Sequence, residues 1–334
     1  MILLFLIPVL VLAQTRADTV SFIHISDTHW HNPAGYHPAI IEARQHYAGA
    51  TDPLVNFFHT IPRKLKSDFV VITGDIIDYW EGESASGDML ETQIEQFITL
   101  KSRNAQIPVY LTLGNHDIET YWTDDGRKSI FPAPQLNAGR ARAAWIRNSN
   151  SLRDGTYYSH TIRVDTTTYR LIFLDNAYYN PDRSDTWPFI MDPYQLYWLD
   201  NELKKSDTDI EIIFMHKPLM VPPREDVEAS RNTYYLNLED TLAIQHNLKS
   251  FDDDVLDLHN ILKKNASTRL VITGHRHASA VHEVHFSDEY SLTHVMTGAF
   301  GRDERNWRQI RLTRDSIIIS FPGITQKQFV ISLE

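Results

Sequence analysis

The sequence predicts a single α/β domain whose chemistry is gathered at the C-terminal ends of its strands. Three observations predict it. Short apolar runs, FVVIT at residues 69–73 and LVIT at residues 270–273, have the composition of strands covered on both faces. Segments with apolar residues at helical spacing alternate with such runs. Several runs end in a turn followed at once by Asp, Asn or His, which is where open α/β sheets carry their sites. No long repeat, low-complexity tract or linker-like stretch divides the chain.

Residues 1–13, MILLFLIPVLVLA, are apolar with Pro8 inside. The run is too short to span a bilayer, which takes about 20 residues. It reads as the core of a secretory signal peptide, with Val11-Leu12-Ala13 or Thr15-Arg16-Ala17 as the cleavage site. A basic segment before it is missing, and an uncleaved anchor is the alternative. Residues 1–17 are set apart as signal, and residues 18–334 as the folded domain.

Residues 22–26, FIHIS, form a strand, with Asp27 and His29 after it. Residues i and i+2 of extended chain point the same way, so this pair can grip one ion. Residues 33–51 read as loop plus a short helix, and residues 54–66 as a helix that Pro62 interrupts. The strand at 69–73 ends in Gly74-Asp75. A helix carries Leu90, Ile94, Phe97 and Ile98 on one face. The strand at 107–113 starts with Pro108 near its edge and ends in Gly114-Asn115-His116-Asp117.

Residues 118–150 are irregular and aromatic, and are expected to form a lid or rim. Residues 157–164 and 168–174 read as a hairpin. Asp192-Pro193-Tyr194-Gln195 starts a helix to about residue 205: Asp caps it, Pro opens it, and Gln195 closes a capping box. A strand at 211–215 ends in His216. Residues 218–250 are a second excursion, residues 252–264 a helix, and residues 270–273 a strand with Gly274-His275-Arg276-His277 at its tip. The remainder reads as short strands with turns. Val70 to Asp75 (VVITGD) echoes Leu270 to His275 (LVITGH): a buried strand, a Gly, then a ligand-type residue.

Composition narrows the chemistry. The chain has no cysteine, so thiolate catalysis, disulfides and cysteine-based metal sites are excluded. Net charge is −11 and no basic stripe appears, so a nucleic-acid duplex is not an expected partner. A small anion is admitted, because bound cations invert the local field. An exported chain without disulfides fits a bacterial periplasm or a secreted protein.

The strand-end polar residues are Asp27, His29, Asp75, Asn115, His116, His216, His275 and His277. Imidazole, carboxylate and amide without sulfur suit Mn, Fe, Zn or Co. Setting His116 aside, seven ligands are too many for one tetrahedral ion and right for two that share a carboxylate. Asp75 is the natural bridge. Two such ions activate a water and clamp a phosphoryl centre. His116 is left to donate a proton to the leaving group.

These residues carry a resemblance. Asp27-x-His29, Gly74-Asp75-x-x-Asp78, Gly114-Asn115-His116-Asp117, His216 and Gly274-His275-x-His277 stand in the order of the five blocks of the calcineurin-like metallophosphoesterases. The resemblance implies a four-layer αββα sandwich of two mixed β-sheets flanked by helices. It implies one metal on Asp27, His29, Asp75 and His277, and a second on Asp75, Asn115, His216 and His275. It makes His116 the acid, oriented by Asp117 or Asp78. Purple acid phosphatases place Tyr three residues after the bridging Asp and lack the first His. Here those positions are Asp78 and His29, so a tyrosinate–iron pair is not expected. Leu174-Asp175-Asn176, Gln195-Leu196-x-Trp198-Leu199 and Met215-His216-Lys217-Pro218 resemble the cyclic-nucleotide phosphodiesterase and acid-sphingomyelinase-like branches.

The expected activity is therefore hydrolysis of a small phosphoester, a nucleotide or a lipid head group, and of diesters before monoesters. A monoesterase of the same fold is the alternative, and a binding module without catalysis ranks below both. No obligatory protein partner is evident. His24 alternates with Ile23 and Ile25 inside a strand and reads as structural. His31 is either a phosphate contact or a loop residue. Trp80, Tyr121 and Trp122 read as wall packing before base stacking.

Overall fold

The computed structural model describes residues 18–124, 127–132, 134–179, 189–219, 256–287 and 289–333. The chain opens with β1 (Val20–Ile25), α1 (Pro38–Arg44), α2 (Thr51–Lys64) and β2 (Phe69–Thr73). Two short strands, β3 (Glu81–Glu83) and β4 (Met89–Leu90), precede α3 (Gln93–Asn104) and β5 (Val109–Thr112). Then come β6 (Thr120–Asp124), β7 (Arg127–Pro132), α4 (Pro134–Asn148), β8 (Tyr158–Val164) and β9 (Thr167–Phe173). A small pair, β10 (Tyr178–Tyr179) and β11 (Phe189–Ile190), leads to α5 (Pro193–Leu203) and β12 (Ile210–Phe214). The last described part holds α6 (Leu258–Lys263), β13 (Thr268–Thr273), β14 (Ala280–His285), β15 (Ser291–Met296), β16 (Arg308–Leu312), β17 (Ser316–Ser320) and β18 (Gln328–Ser332).

Two six-stranded sheets dominate, ordered β18-β17-β16-β1-β2-β5 and β14-β15-β13-β12-β9-β8. In the first, β1, β2 and the edge strand β5 pair parallel, while β16, β17 and β18 pair antiparallel; in the second, β9, β12, β13 and β15 pair parallel and the edge strands β8 and β14 antiparallel. The period-2 alternation of side chains explains why the central strands are apolar throughout. Phe22, Val71 and Ile310 of the first sheet meet Phe173, Phe214 and Leu270 of the second. Ile23, Ile25 and Ile72 turn outward onto Leu54, Phe57, Phe97 and Trp145 of α2, α3 and α4. Ile172, Ile213 and Val271 turn outward onto Leu199, Leu203 and Ile261 of α5 and α6. The result is the four-layer αββα arrangement, with both sheets aiming strand C-termini at one edge.

Several local expectations are corrected. Residues 118–150 are more regular than expected: β6 and β7 join β3 and β4 in a four-stranded sheet, and α4 lies on the helical layer with Trp145 fully buried. Trp145 serves the core, while Tyr121 stands beside the site with its hydroxyl 3.5 Å from His116 Nδ1. Gln195 does not close a capping box. Asp192 accepts from the Tyr194 amide at 3.0 Å, while Gln195 accepts from the Asp175 amide at 2.7 Å and donates to the Asp175 carbonyl at 2.8 Å. Pro62 does not interrupt α2, because two residues before the helix end it forfeits one amide donor. Leu90 lies in β4, before the helix begins at Gln93. The excursion read at residues 218–250, and the start of the helix read at residues 252–264, lie outside the described residues from 220 to 255.

A titrating group lies far from the strand C-termini. Glu211 near the start of β12 is fully buried. Burial pushes its carboxyl up to about 7, against the pull of a Ser267 hydrogen bond and of the Arg170 guanidinium. The folded value lies above the unfolded one, so the stability it contributes is present below about 4.5 and is lost as pH rises through about 7. Glu211→Gln is expected to gain thermal stability over the parent as pH rises from 5 to 8. A melting-temperature difference that stays constant across that range would count against it.

Candidate metal and catalytic site

The site is built by strand tips that turn back on themselves. Asp27, His29, Asp75, His275 and His277 have φ of 53°, 43°, 45°, 68° and 53°. Non-glycine residues held in the left-handed region cluster at functional sites, where surrounding structure enforces them. Here the enforcement is main-chain bonding between tips. The Asp27 amide donates to the Gly74 carbonyl at 3.1 Å, His29 to Asp75 at 2.9 Å, and Gly274 to His216 at 3.0 Å. Two glycines explain the motif pattern. A Cβ on Gly114 would lie 2.3 Å from the Asp75 amide and Oδ1, and one on Gly274 would lie 1.8 Å from Ser26 Oγ. A ligand residue from another strand occupies the space that a side chain would take.

Six carboxylate and imidazole residues converge. One ligand atom each of Asp27, His29, Asp75 and His277 lies within 4.8 Å of the others, and the same holds for Asp75, His216 and His275. His29 Nε2 is 3.1 Å from His277 Nε2 and 3.7 Å from Asp75 Oδ2. His277 Nε2 is 3.3 Å from Asp27 Oδ1. On the other side, His216 Nε2 is 3.1 Å from Asp75 Oδ2 and 3.2 Å from His275 Nδ1. Asp75 Oδ2 thus faces both clusters.

The donor set fits two cations. Asn115 follows Gly114, which lies against Asp75 and His216; its Nδ2 donates to Glu119 Oε1 at 3.2 Å, while its Oδ1 is buried with no hydrogen-bond partner among the described residues. A buried acceptor left bare costs about 1–3 kcal/mol, and a cation there would satisfy it. Outer contacts set which nitrogen faces inward. His216 Nδ1 lies 2.9 Å from the Thr73 carbonyl and His29 Nδ1 lies 3.1 Å from Asp78 Oδ1, leaving Nε2 of each for an ion. Burial lowers the His29 imidazole and drives that of His275 well down, which favours the neutral, ligating form.

His116 stands beside these clusters, its ring edge-on to His29 at 4.7 Å. Its amide donates to Asp75 Oδ1 at 2.9 Å and its Nδ1 lies 2.9 Å from the Asp78 carbonyl. Burial disfavours the charged imidazole, but Glu119, Asp75 and Asp78 outweigh it and push His116 up to about 9. The two expected orienting residues divide differently. Asp117 does not touch His116; its carboxylate accepts from the Ile77 and Gly114 amides at 2.9 and 2.7 Å. It holds the turn. Burial and the Asp75 carboxylate push its carboxyl up to about 8. Asp78 orients His116 through its main-chain carbonyl, while its carboxylate takes Arg44 (2.7 and 2.5 Å) and His29.

Four participants were not read from the sequence as part of the site. Arg44 lies at the end of α1, 34 residues before its partner Asp78, and nothing in its neighbourhood signals the pairing. Tyr47 stacks on His29 with centroids 4.2 Å apart. Asn176 accepts from the amides of His216 and Lys217 at 3.1 and 2.9 Å, which gives the Leu174-Asp175-Asn176 motif a physical purpose. Glu119 is four residues from Asn115 and three from His116, a turn-like spacing that was a usable signal. It also accepts from Tyr121 Oη at 2.9 Å and lies 3.3 Å from His116 Nδ1. Glu119→Gln is expected to weaken metal retention at the Asn115 side and to lower kcat about tenfold or more, because an amide nitrogen would face other donors. Unchanged metal content and kcat would show the contacts to be idle.

His31 is buried beside Asp78, 3.8 Å from its Oδ2. Trp80 and Tyr121 are buried as wall. His24 bonds Thr297 and Thr73 at 2.9 and 2.7 Å.

Sheets stacked between helical layers, with carboxylate and imidazole clusters sharing one Asp at the strand ends, define a dimetal hydrolase of phosphoesters. The chain belongs to the calcineurin-like phosphoesterase family, whose model matches residues 20–279. No curated protein matches the sequence. Among solved structures, it is similar to a dimetal phosphatase from Danio rerio, with 16% identity, a TM-score of 0.56, and coverage of 94% of this chain and 99% of that one. It is also similar to PhoD, at 14% identity and a TM-score of 0.56 over 95% of this chain and 69% of that one. A purple acid phosphatase from yellow lupin (Lupinus luteus) gives 12% identity and a TM-score of 0.53, over 95% and 54%. At such identities the likeness is one of fold.

Proposed function

We propose that this chain is an exported, metal-dependent phosphodiesterase. One observation carries the hydrolytic reading: Asp75 is shared by two ligand clusters, and His116 is fastened beside it through both its amide and its Nδ1. Two divalent ions, when bound, supply an activated water and positive charge at the phosphoryl oxygens. Asp27, His29, Asp75 and His277 would hold one, and Asp75, Asn115, His216 and His275 the other. Manganese, iron, zinc and cobalt all suit this donor set.

The chain's own groups handle the proton. With Nδ1 engaged by the Asp78 carbonyl, Nε2 of His116 is the nitrogen left for substrate. As the ester P–O bond breaks, Nε2–H passes its proton to the leaving oxygen. Diester preference is supported by the likeness of Leu174-Asp175-Asn176, Gln195-Leu196-x-Trp198-Leu199 and Met215-His216-Lys217-Pro218 to the motifs of phosphodiesterase branches. In the structure Asp175, Asn176 and Gln195 interlock and hold the His216 turn. Export to the periplasm or beyond is supported by the apolar run at residues 1–13.

The test is turnover of bis-p-nitrophenyl phosphate against p-nitrophenyl phosphate after loading with Mn²⁺. A higher kcat/KM for the diester is expected. Monoester preference would overturn the diesterase reading, and no turnover of either would favour a binding module.

A further inference from the structure

We infer that Arg302 forms an anion subsite beside the Asp27–His29 cluster and selects phosphoesters that carry a second phosphate or carboxylate a few bonds from the scissile one. The inference rests on the hydrolytic reading above and names the kind of substrate that reading leaves open.

Arg302 is fixed in place from two directions. Its loop is sewn to the first metal-ligand strand: the Phe300 amide donates to the Ser26 carbonyl at 2.9 Å, and the Gly301 amide to the Asp27 carbonyl at 3.0 Å. That approach is close enough that a Cβ on Gly301 would lie 2.4 Å from the Thr28 carbonyl oxygen. The side chain is tethered as well, since Nε donates to Tyr47 Oη at 3.2 Å. Tyr47 is itself buried and lies flat against His29, with 12° between the rings. The ring separation of 4.2 Å, and 5.9 Å from the Tyr47 centroid to the guanidinium carbon, put Arg302 within roughly 10 Å of His29.

What the guanidinium lacks is an anion. Among the described residues no carboxylate pairs with it. The adjacent Asp303 is taken by Arg305, with bonds of 2.9 and 2.7 Å. Arg44, the other cation over Tyr47, is taken by Asp78. Nε is occupied and orients the plane, while both terminal amino groups of this exposed side chain meet no acceptor among the described residues. That is the arrangement by which arginine grips a phosphate or carboxylate bidentately. The plain alternative is that Arg302 only closes the loop through Tyr47.

The experiment is calorimetric titration of Mn²⁺-loaded protein with methylphosphonate, which has one anionic group, and phosphonoacetate, which has two. Wild-type protein is expected to bind phosphonoacetate about 10- to 100-fold more tightly, the range for one charge-assisted contact. Arg302→Ala is expected to bring that ratio near one. Arg302→Lys restores part of it, more so at low salt. A ratio near one in wild-type protein, or an unchanged ratio in Arg302→Ala with metal content intact, overturns the subsite. Turnover of bis-p-nitrophenyl phosphate is read separately. A ratio that depends on Arg302 in a protein without turnover supports the subsite and counts against the hydrolytic reading.

Discussion

Asp75→Asn is expected to empty both metal positions and to take turnover to background. The two oxygens of Asp75 have different duties. Oδ1 accepts the His116 amide at 2.9 Å, and Oδ2 faces His216 at 3.1 Å and His29 at 3.7 Å. Asparagine tolerates the left-handed backbone at this position, where φ is 45°, so the turn survives. Its amide group has no good orientation. With Nδ2 in place of Oδ2, two donor hydrogens point where both ions would sit. With Nδ2 in place of Oδ1, a donor meets the His116 amide, and a buried unmatched donor costs about 1–3 kcal/mol. The bridging negative charge is lost in both cases. Elemental analysis should fall from about two ions per chain towards none, with far-ultraviolet circular dichroism unchanged. Two ions retained at full occupancy would refute the bridge.

His116→Ala should separate binding from bond-breaking. The side chain is outside both sets of proposed ligands, so metal content is expected to stay at the wild-type level. Its amide contact with Asp75 is main-chain and persists in alanine. The loss falls on proton delivery, worth about 10²–10⁴-fold in kcat for a general acid. The deficit should shrink for esters with strongly acidic leaving groups, which depart without a proton. An equal deficit across leaving groups points to a structural role, and normal turnover with an alkyl ester would remove His116 from the mechanism. The two variants together form a control: one loses metal and rate, the other rate alone.

Much of this was written in local sequence. Each apolar run is short, β-rich and closed by a turn, so strand ends could be located without knowing which strands pair. The strand-end sets Asp27/His29, Asp75, Asn115, His216 and His275/His277 follow directly, and the fold brings the six carboxylate and imidazole residues among them together. Residues 118–150 failed for the converse reason. Trp145 and its neighbours look the same whether they face a ligand or a core, because composition carries no direction. Gln195 failed similarly: a local capping pattern was outcompeted by the Asp175 backbone, which only the fold brings near.

By itself, then, the sequence determined the α/β class, the position of each ligand-type residue at a strand terminus, and the chemistry that their donor atoms favour. Tertiary structure alone decided who serves whom. It gave the Asp78 carboxylate to Arg44 and His29, gave Asp117 to the turn amides, placed Glu119 between Asn115 and His116, and laid Tyr47 on His29 with Arg302 bonded to its hydroxyl. The physical reason is range. A strand end is specified by a few consecutive residues. A hydrogen bond between residues tens or hundreds apart depends on distances that appear only once both sheets have packed.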